Sequence, residues 1–250
     1  MLRHDPAVIG TLHLRVLEAV VAINGNEKVP DLRLDGGTAL SAFYLGHRQS
    51  EDLDFFGGPG LNAAGFADRL RAMGERHGVV FEPTTVASRG FARLLARDLH
   101  DPDALPVKVD LGSTSPFLLA PLEDSEEGIR IASFRDVAAG KLHAASDRFE
   151  VRDFIDFHAI LERPGQDGHR VDDNIRRARF RALLDDVFAT DPGMDVHVVG
   201  QGLARGLDRP LVSRFPLRMI AQFTDDEVQA SVRLGVDECA KMIDELAPGS

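Results

Sequence analysis

The chain has 250 residues, 44% of them hydrophobic, which suits one large domain or two small ones. Its formal net charge of −11 excludes a global attraction to nucleic acid or to a membrane surface, so any RNA contact must come from a local basic patch. A single cysteine, Cys239, excludes an intramolecular disulfide and a cysteine-based zinc site, and with no apolar run of membrane-spanning length we expect a cytoplasmic protein without a membrane partner.

A helix and a strand–helix–strand unit are predicted at the start of the chain. Apolar residues at helical spacing indicate a helix over residues 7–24, which Asn24-Gly25-Asn26 would end. A short strand at Leu32–Leu34 runs into Gly36-Gly37, and a helix over Thr38–Leu45 follows. The unit continues into a second strand that carries two aspartates.

On this second strand, side chains two positions apart point to the same face. Asp52 and Asp54 therefore project together, and Leu53 and Phe55 lie on the opposite, buried face. Two adjacent like charges cost stability unless a cation joins them. Carboxylate oxygens suit Mg²⁺, which usually combines one or two carboxylates with phosphate oxygens of a substrate.

The glycines predict a phosphate site next to these acids. Gly36 and Gly37 let the backbone approach a ligand closely, and Thr38 opens a helix whose free N–H groups favour an anion. A phosphate cradle and a carboxylate pair in one unit indicate a site for a nucleoside triphosphate. The alternative is a tight turn followed by a solvated acidic strand end.

The motif Gly-Gly-Thr-Ala-Leu at residues 36–40, followed by His47-Arg48-x-Ser50-x-Asp52-Leu53-Asp54, resembles the nucleotidyltransferase superfamily. Within it, the motif is similar to the AbiEii/AbiGii-type toxins of bacterial toxin–antitoxin and phage-defence systems. Asp35 departs from the pattern, because many relatives have Lys there. The resemblance covers about residues 32–161. It implies an α/β fold, with a small mixed, twisted sheet flanked by helices and followed by a helical domain.

Further along, the pattern predicts a helix and three strands. The helix spans residues 62–77, two strands follow at Val79–Val86 and Phe91–Arg97, and a third strand at residues 105–111 alternates apolar residues with Lys108 and Asp110. The resemblance implies a third carboxylate on a neighbouring strand, at the position of Asp110. Three carboxylates could hold two Mg²⁺ ions and help to deprotonate an attacking hydroxyl. The alternative is a plain exposed strand aspartate.

From Phe134 onward the chain is predicted to be almost wholly helical. We therefore expect a catalytic α/β domain over residues 1–130 and a helical domain over residues 131–250. If Lys141, Arg148 and Arg152 lay on one continuous helix, they would form a basic stripe; a break near Ser146-Asp147 would remove that argument.

This segment, with Asp153 and Asp156, also resembles the toxin family. The resemblance implies that Lys141 contacts the triphosphate and that Asp153 or Asp156 has a catalytic or positioning role. The alternative is a structural network of ion pairs between two helices. Together, the residues and the resemblance predict nucleotide contacts at Gly36, Gly37, Thr38, Arg48, Ser50 and Arg148.

Two more helices are predicted near the end of the chain. Residues 171–189 form a helix rich in arginine and aspartate, which is either an RNA-binding patch or a solvated face with internal ion pairs. The tail, residues 225–246, is an amphipathic helix that would pack on the core.

The resemblance implies a Mg²⁺-dependent transfer of a nucleoside monophosphate from an NTP, such as ATP or GTP, to an acceptor hydroxyl. The acceptor would be RNA, notably a tRNA end, or protein, and a cognate antitoxin would be a partner. Two alternatives stay open: a small-molecule nucleotidyltransferase of the antibiotic-modifying type, and a catalytically silent module that binds NTP or antitoxin.

Overall fold

The computed structural model describes residues 1–27, 29, 31–84, 86–114, 117–164, 171–207 and 217–246. The chain divides into two compact units, Met1–Ser133 and Phe134–Ser250. Within the described ranges, no helix is long and apolar enough to cross a membrane.

The first unit contains three α-helices in its described part: α1 (Thr11–Glu27), α2 (Gly36–Leu40) and α3 (Ala63–Met73). A π-helical turn (Ser41–Leu45) extends α2 and ends at Gly46, and a 3₁₀ turn (Gly74–His77) extends α3 and ends at Gly78. Both glycines have a positive φ, which glycine adopts without a steric penalty.

The described part of the first unit also contains seven strands: β1 (Arg33–Asp35), β2 (Asp52–Gly57), β3 (Val79–Pro83), β4 (Phe91–Asp98), β5 (Val107–Ser113), β6 (Glu123–Asp124) and β7 (Arg130–Ile131). They form one sheet in the order β3-β4-β5-β2-β1-β7-β6. The β2–β5 and β1–β7 pairs are parallel and the other pairs are antiparallel. The mixed sheet flanked by helices confirms the predicted fold class.

The core of this unit lies on one face of the central strands. Alternate residues of β2, β4 and β5 are fully or almost fully buried there, among them Leu53, Phe55, Leu94, Val109 and Leu111. The residues between them point to the other face, which carries the charged side chains of Asp52, Asp54, Arg93, Lys108 and Asp110 together with the apolar Phe56, Phe91 and Leu95. Burial of the apolar residues thus fixes which face the polar ones occupy.

The described part of the second unit is helical, with α4 (Phe134–Asp147), α5 (Val151–Glu162), α6 (Asp173–Thr190), α7 (Val196–Leu207) and α8 (Asp225–Leu246). Its core includes an edge-to-face contact between Phe157 and Phe180, with ring centroids 5.9 Å apart. Helix α7 approaches α4 very closely, because a Cβ on Gly202 would lie 2.2 Å from the carbonyl oxygen of Ser146.

Two expectations about helices need correction, and one helix was not expected. Helix α1 does not end at Asn24-Gly25-Asn26 but continues to Glu27. The segment with Lys141, Arg148 and Arg152 is not one helix, because α4 ends at Asp147 and Phe149 has a φ of 55°. The continuous basic stripe across these three residues is therefore wrong. Helix α7 was not predicted.

Candidate active site

The two aspartates of β2 lie on the polar face of the sheet. Asp52 and Asp54 are half-buried, and Leu53 and Phe55 between and beside them are fully buried on the opposite face. The hydrophobic alternation of this strand therefore projects both carboxylates from one surface.

The parallel pairing of β2 with β5 brings a third aspartate beside this pair. Asp54 stands directly opposite Asp110, and Asp52 stands opposite Lys108. The antiparallel strand β4 then places Arg93 opposite Asp110 on the other side. Because paired residues on neighbouring strands point to the same face, the three acids and the two bases share one surface.

Lys108 contacts Asp52 and Asp110, and Arg93 contacts Asp110. The ammonium nitrogen of Lys108 lies 2.6 Å from Oδ2 of Asp52 and 3.9 Å from Oδ2 of Asp110. Arg93 donates two hydrogen bonds to Asp110, from Nε at 2.6 Å and from Nη2 at 2.7 Å. These hydrogen bonds raise the pKa of Arg93, and the charges of Asp110, Asp52 and Asp54 raise it further.

The carboxylates are adjacent but are not gathered around one point. In the part of the chain that the structure describes, no three side chains of His, Cys, Asp or Glu are placed closely enough to hold a metal ion. The contacts of the two bases give the reason, since Asp110 is oriented towards Arg93 and Asp52 towards Lys108.

Gly36 lies against the carboxylate of Asp54. A Cβ on Gly36 would come within 2.2 Å of Oδ2 of Asp54, and the φ of this residue is +70°. Any side chain at position 36 would therefore both strain the backbone and collide with Asp54. This close approach is what the Gly-Gly motif provides to the site.

The amide of Gly36 already has a hydrogen-bond acceptor. Asp35 is the N-cap of α2, and its Oδ1 accepts a hydrogen bond of 2.7 Å from the Gly36 N–H. The other oxygen of Asp35 lies 3.4 Å from Nε of Arg33. The Asp35 side chain thus caps the backbone of its own turn.

Thr38 and Ser50 fix the start of β2. Both are buried, and their hydroxyls form a hydrogen bond of 2.7 Å. The Thr38 hydroxyl also donates to the carbonyl oxygen of Asp52. Arg48 is buried as well, and its Nη1 donates to the carbonyl oxygen of Gln49 at 3.0 Å. These contacts position the strand that carries Asp52; phosphate binding by the same residues stays a prediction.

His13 of α1 lies next to this strand and was not predicted as a site residue. Burial lowers its pKa, against the opposing effects of a hydrogen bond to the Ser50 backbone and the charge of Asp52. Its Nε2 atom is buried and has no hydrogen-bond partner among the described residues.

The second unit contains its own cluster of predicted site residues. Lys141 Nζ lies 2.7 Å from Asp156 and 3.4 Å from Asp153, and Arg148 donates two hydrogen bonds to Asp153 at 2.7 and 2.8 Å. Both aspartates are fully buried and Lys141 is nearly so. Two acids and two bases make this quartet formally neutral, an arrangement that fits the predicted ion-pair network.

The arginines of α6 all have partners within the second unit. Arg177 and Arg181 bind the buried carboxylate of Glu238, and Arg176 binds Glu162 and Asp173. Arg179 donates to the carbonyl oxygens of Leu161 and Arg163. These contacts favour the interpretation of α6 as a paired helix face over an RNA-binding patch.

Two basic residues of the site, Lys108 and Arg93, were not assigned a role from the sequence. Lys108 carried a usable signal, because it alternates with Asp110 on one strand. Arg93 carried none, since its position depends on the register between β4 and β5. His13 could not be found either, because helical spacing does not say which strand a helix contacts.

The donor set of the first unit is compatible with Mg²⁺. Carboxylate oxygens of Asp52, Asp54 and Asp110 are the hard ligands this ion prefers, and the Lys108 ammonium already interacts with two of these acids as a stand-in cation.

Comparison with known proteins identifies the family of the chain. Residues 20–249 match the family described as nucleotidyl transferase AbiEii toxin, Type IV TA system. No curated protein sequence matches the chain. Among solved structures, JHP933 from Helicobacter pylori is similar at a TM-score of 0.51 and 16% identity, covering 94% of this chain and 93% of that one.

A putative nucleotidyltransferase from H. pylori has the same TM-score and identity, with coverage of 92% and 94%. The nucleotidyltransferase toxin MenT4 (Rv2826c) of Mycobacterium tuberculosis H37Rv gives a TM-score of 0.48 and 16% identity over 91% of this chain and 83% of its own. The first two likenesses agree with the fold, and the family match covers most of the chain. The chain therefore belongs to the AbiEii nucleotidyltransferase toxin family and is a nucleotidyltransferase.

Proposed function

We propose that this chain transfers a nucleoside monophosphate from an NTP to an acceptor hydroxyl in a Mg²⁺-dependent reaction. The observation that carries the proposal is the shared surface of β2 and β5, where Asp52, Asp54 and Asp110 stand in adjacent register positions. Asp52 and Asp54 would hold the metal, which when bound neutralises charge on the phosphates.

The reaction needs a base and a partner for the leaving group. The acceptor oxygen forms a bond to the α-phosphorus, the bond from that phosphorus to the bridging oxygen breaks, and pyrophosphate leaves. The hydroxyl proton goes to Asp110, which must first loosen its two hydrogen bonds from Arg93. We also propose that the nucleotide is contacted by Gly36, Gly37, Thr38, Arg48, Ser50 and Arg148. Lys141 would bind the leaving pyrophosphate, and its contacts with Asp156 at 2.7 Å and Asp153 at 3.4 Å would position it.

The family match supports a toxin role with a cognate antitoxin as partner. As the acceptor we propose RNA, notably a tRNA end. ATP, GTP and RNA are all cytoplasmic substrates, so we place the reaction in the cytoplasm. A small-molecule hydroxyl is the rival acceptor. The net charge of −11 and the paired arginines of α6 favour it, because tRNA needs a basic surface.

The test is incubation with α-³²P-labelled NTPs and Mg²⁺, together with total tRNA, a protein extract or an aminoglycoside. We expect label on tRNA in the wild type. In Asp54→Ala, transfer falls by at least about 100-fold, because a preorganised charge at the reacting phosphate is lost. Glu82→Gln changes an exposed residue of β3 and should leave the rate unchanged.

Other outcomes are equally informative. Label on the aminoglycoside alone establishes the small-molecule activity, and label on protein alone establishes a protein acceptor. Metal-dependent NTP binding without transfer to any acceptor identifies a silent module. If Asp54→Ala labels tRNA at the wild-type rate, the assignment of the site is wrong.

A further inference from the structure

Lys108 occupies a position on the sheet that has no role in the proposed reaction. It lies two residues before Asp110 on β5, and the register places it opposite Asp52. Its Nζ is within 4 Å of both Asp52 and Asp110. An ammonium at this point contacts Asp52, one of the two proposed metal ligands, and Asp110, the proposed base.

The charges of the surface are nearly balanced by the protein itself. Asp52, Asp54 and Asp110 carry three negative charges, and Lys108 and Arg93 carry two positive ones. Arg93 is fixed by two hydrogen bonds to Asp110. Lys108 makes a single hydrogen bond to Asp52 from a flexible side chain, so it is the cation that can be displaced more easily.

We infer that the Lys108 ammonium is a built-in competitor for the divalent ion at Asp52 and thereby sets how tightly the site holds metal. A metal ion that takes Oδ2 of Asp52 must break the 2.6 Å contact with Lys108, and it meets the positive charge of the displaced ammonium nearby. The inference rests on the proposed function, because it takes Asp52 as a metal ligand.

The experiment is a titration of the full chain with Mn²⁺ in the absence of nucleotide. The free Mn²⁺ ion is measured by electron paramagnetic resonance at each step. Lys108→Met keeps most of the side-chain length and removes the charge. We expect this variant to bind Mn²⁺ at least about 10-fold more tightly than the wild type, because the repulsion between the ion and a nearby ammonium is removed. Arg97→Met is the control, because Arg97 pairs with Glu82 on exposed β3–β4 positions, and its affinity should be unchanged.

Thermal unfolding gives a second readout that does not need activity. Without metal, Lys108→Met should unfold at a lower temperature than the wild type, because Asp52 loses its counter-charge, and Mn²⁺ should raise the unfolding temperature more in the variant than in the wild type. Equal or weaker Mn²⁺ binding by Lys108→Met overturns the inference. If the wild type binds no Mn²⁺ even with a non-hydrolysable NTP, the proposed function itself fails.

Discussion

Gly36 leaves room for the carboxylate of Asp54 because it has no Cβ. The gap is narrow, since a methyl carbon at this position would lie 2.2 Å from Oδ2 of Asp54. The same residue has a φ of +70°, which side chains other than glycine seldom adopt. Glycine at position 36 therefore both allows the turn and leaves space for the Asp54 carboxylate.

Gly36→Ala should reduce transfer far more than it reduces stability. The backbone strain costs about 1–2 kcal/mol, whereas displacement of Asp54, which we propose as a metal ligand, should slow transfer by about 100-fold. Urea denaturation and the labelled-NTP assay measure the two effects. Gly25→Ala is the matched control, because Gly25 lies in α1 with nothing within 4 Å of its Cβ position. Full activity in Gly36→Ala would contradict the role given to this contact.

At the scale of elements, the turn between α4 and α5 determines which charged side chains of the two helices pair with each other. Phe149 in a left-handed conformation ends the helical path, and Arg148 then reaches Asp153 at the start of α5. Lys141 on α4 meets Asp156 one turn further along α5. The two helices are thus joined by two neutral pairs, Lys141–Asp156 and Arg148–Asp153.

Asp156→Asn should destabilise this unit by about 3–5 kcal/mol, because it leaves the buried Lys141 without its closest counter-charge. Removing both partners in Lys141→Met/Asp156→Leu should restore most of that stability, since an apolar pair needs no counter-charge. Chemical denaturation of the full chain measures both variants.

The double variant also separates the two interpretations of Lys141. If Lys141 contacts the leaving pyrophosphate, the double variant should transfer nucleotide at least about 100-fold more slowly than the wild type even though its stability is restored. Wild-type transfer by a stable double variant would show that the cluster is only structural.

At the scale of the whole molecule, the sequence was informative wherever a local pattern was sufficient. The alternation of β2 predicted the shared face of Asp52 and Asp54, and the amphipathic tail predicted α8 with the bounds Asp225–Leu246. The class of sheet also followed from the motif. The shared face and the tail helix depend on periods of two or 3.6 residues, which are visible in the chain itself, whereas the class of sheet was implied by the resemblance of the motif.

Long-range partners could not be predicted in the same way. Arg93 meets Asp110 only because β4 pairs with β5 in one particular register, and Glu238 meets Arg177 across 61 residues of chain. The helix break at Phe149 depends on a single backbone angle. The sequence raised a break near Ser146-Asp147 as an alternative, but neither the strand register nor the left-handed conformation of Phe149 follows from a periodic pattern, so the structure was needed for both.

Cys239 provides a probe of unfolding for the second unit. It is fully buried in α8, and burial raises the pKa of its thiol to about 12. Because the pKa of the thiol is higher in the folded chain than in the unfolded chain, the neutral thiol contributes to the free energy of unfolding below its ordinary pKa. This stabilisation is lost as the pH rises from about 9 towards 12. At pH 8 we expect no reaction with Ellman's reagent in native buffer and complete reaction in urea, measured by absorbance. Prompt reaction of the native protein would contradict the buried position.

The near-balance of charge on the sheet face has a consequence for how the protein folds. Asp35, Asp52, Asp54 and Asp110 are accompanied by Arg33, Arg93 and Lys108, so the mutual repulsion of the acids is largely relieved inside the chain. A zinc finger, by contrast, cannot fold before its ion arrives. Newly synthesised chains of this protein should therefore fold in a cell depleted of magnesium. If transfer depends on Mg²⁺ as we propose, a chelator should stop the reaction without unfolding the protein.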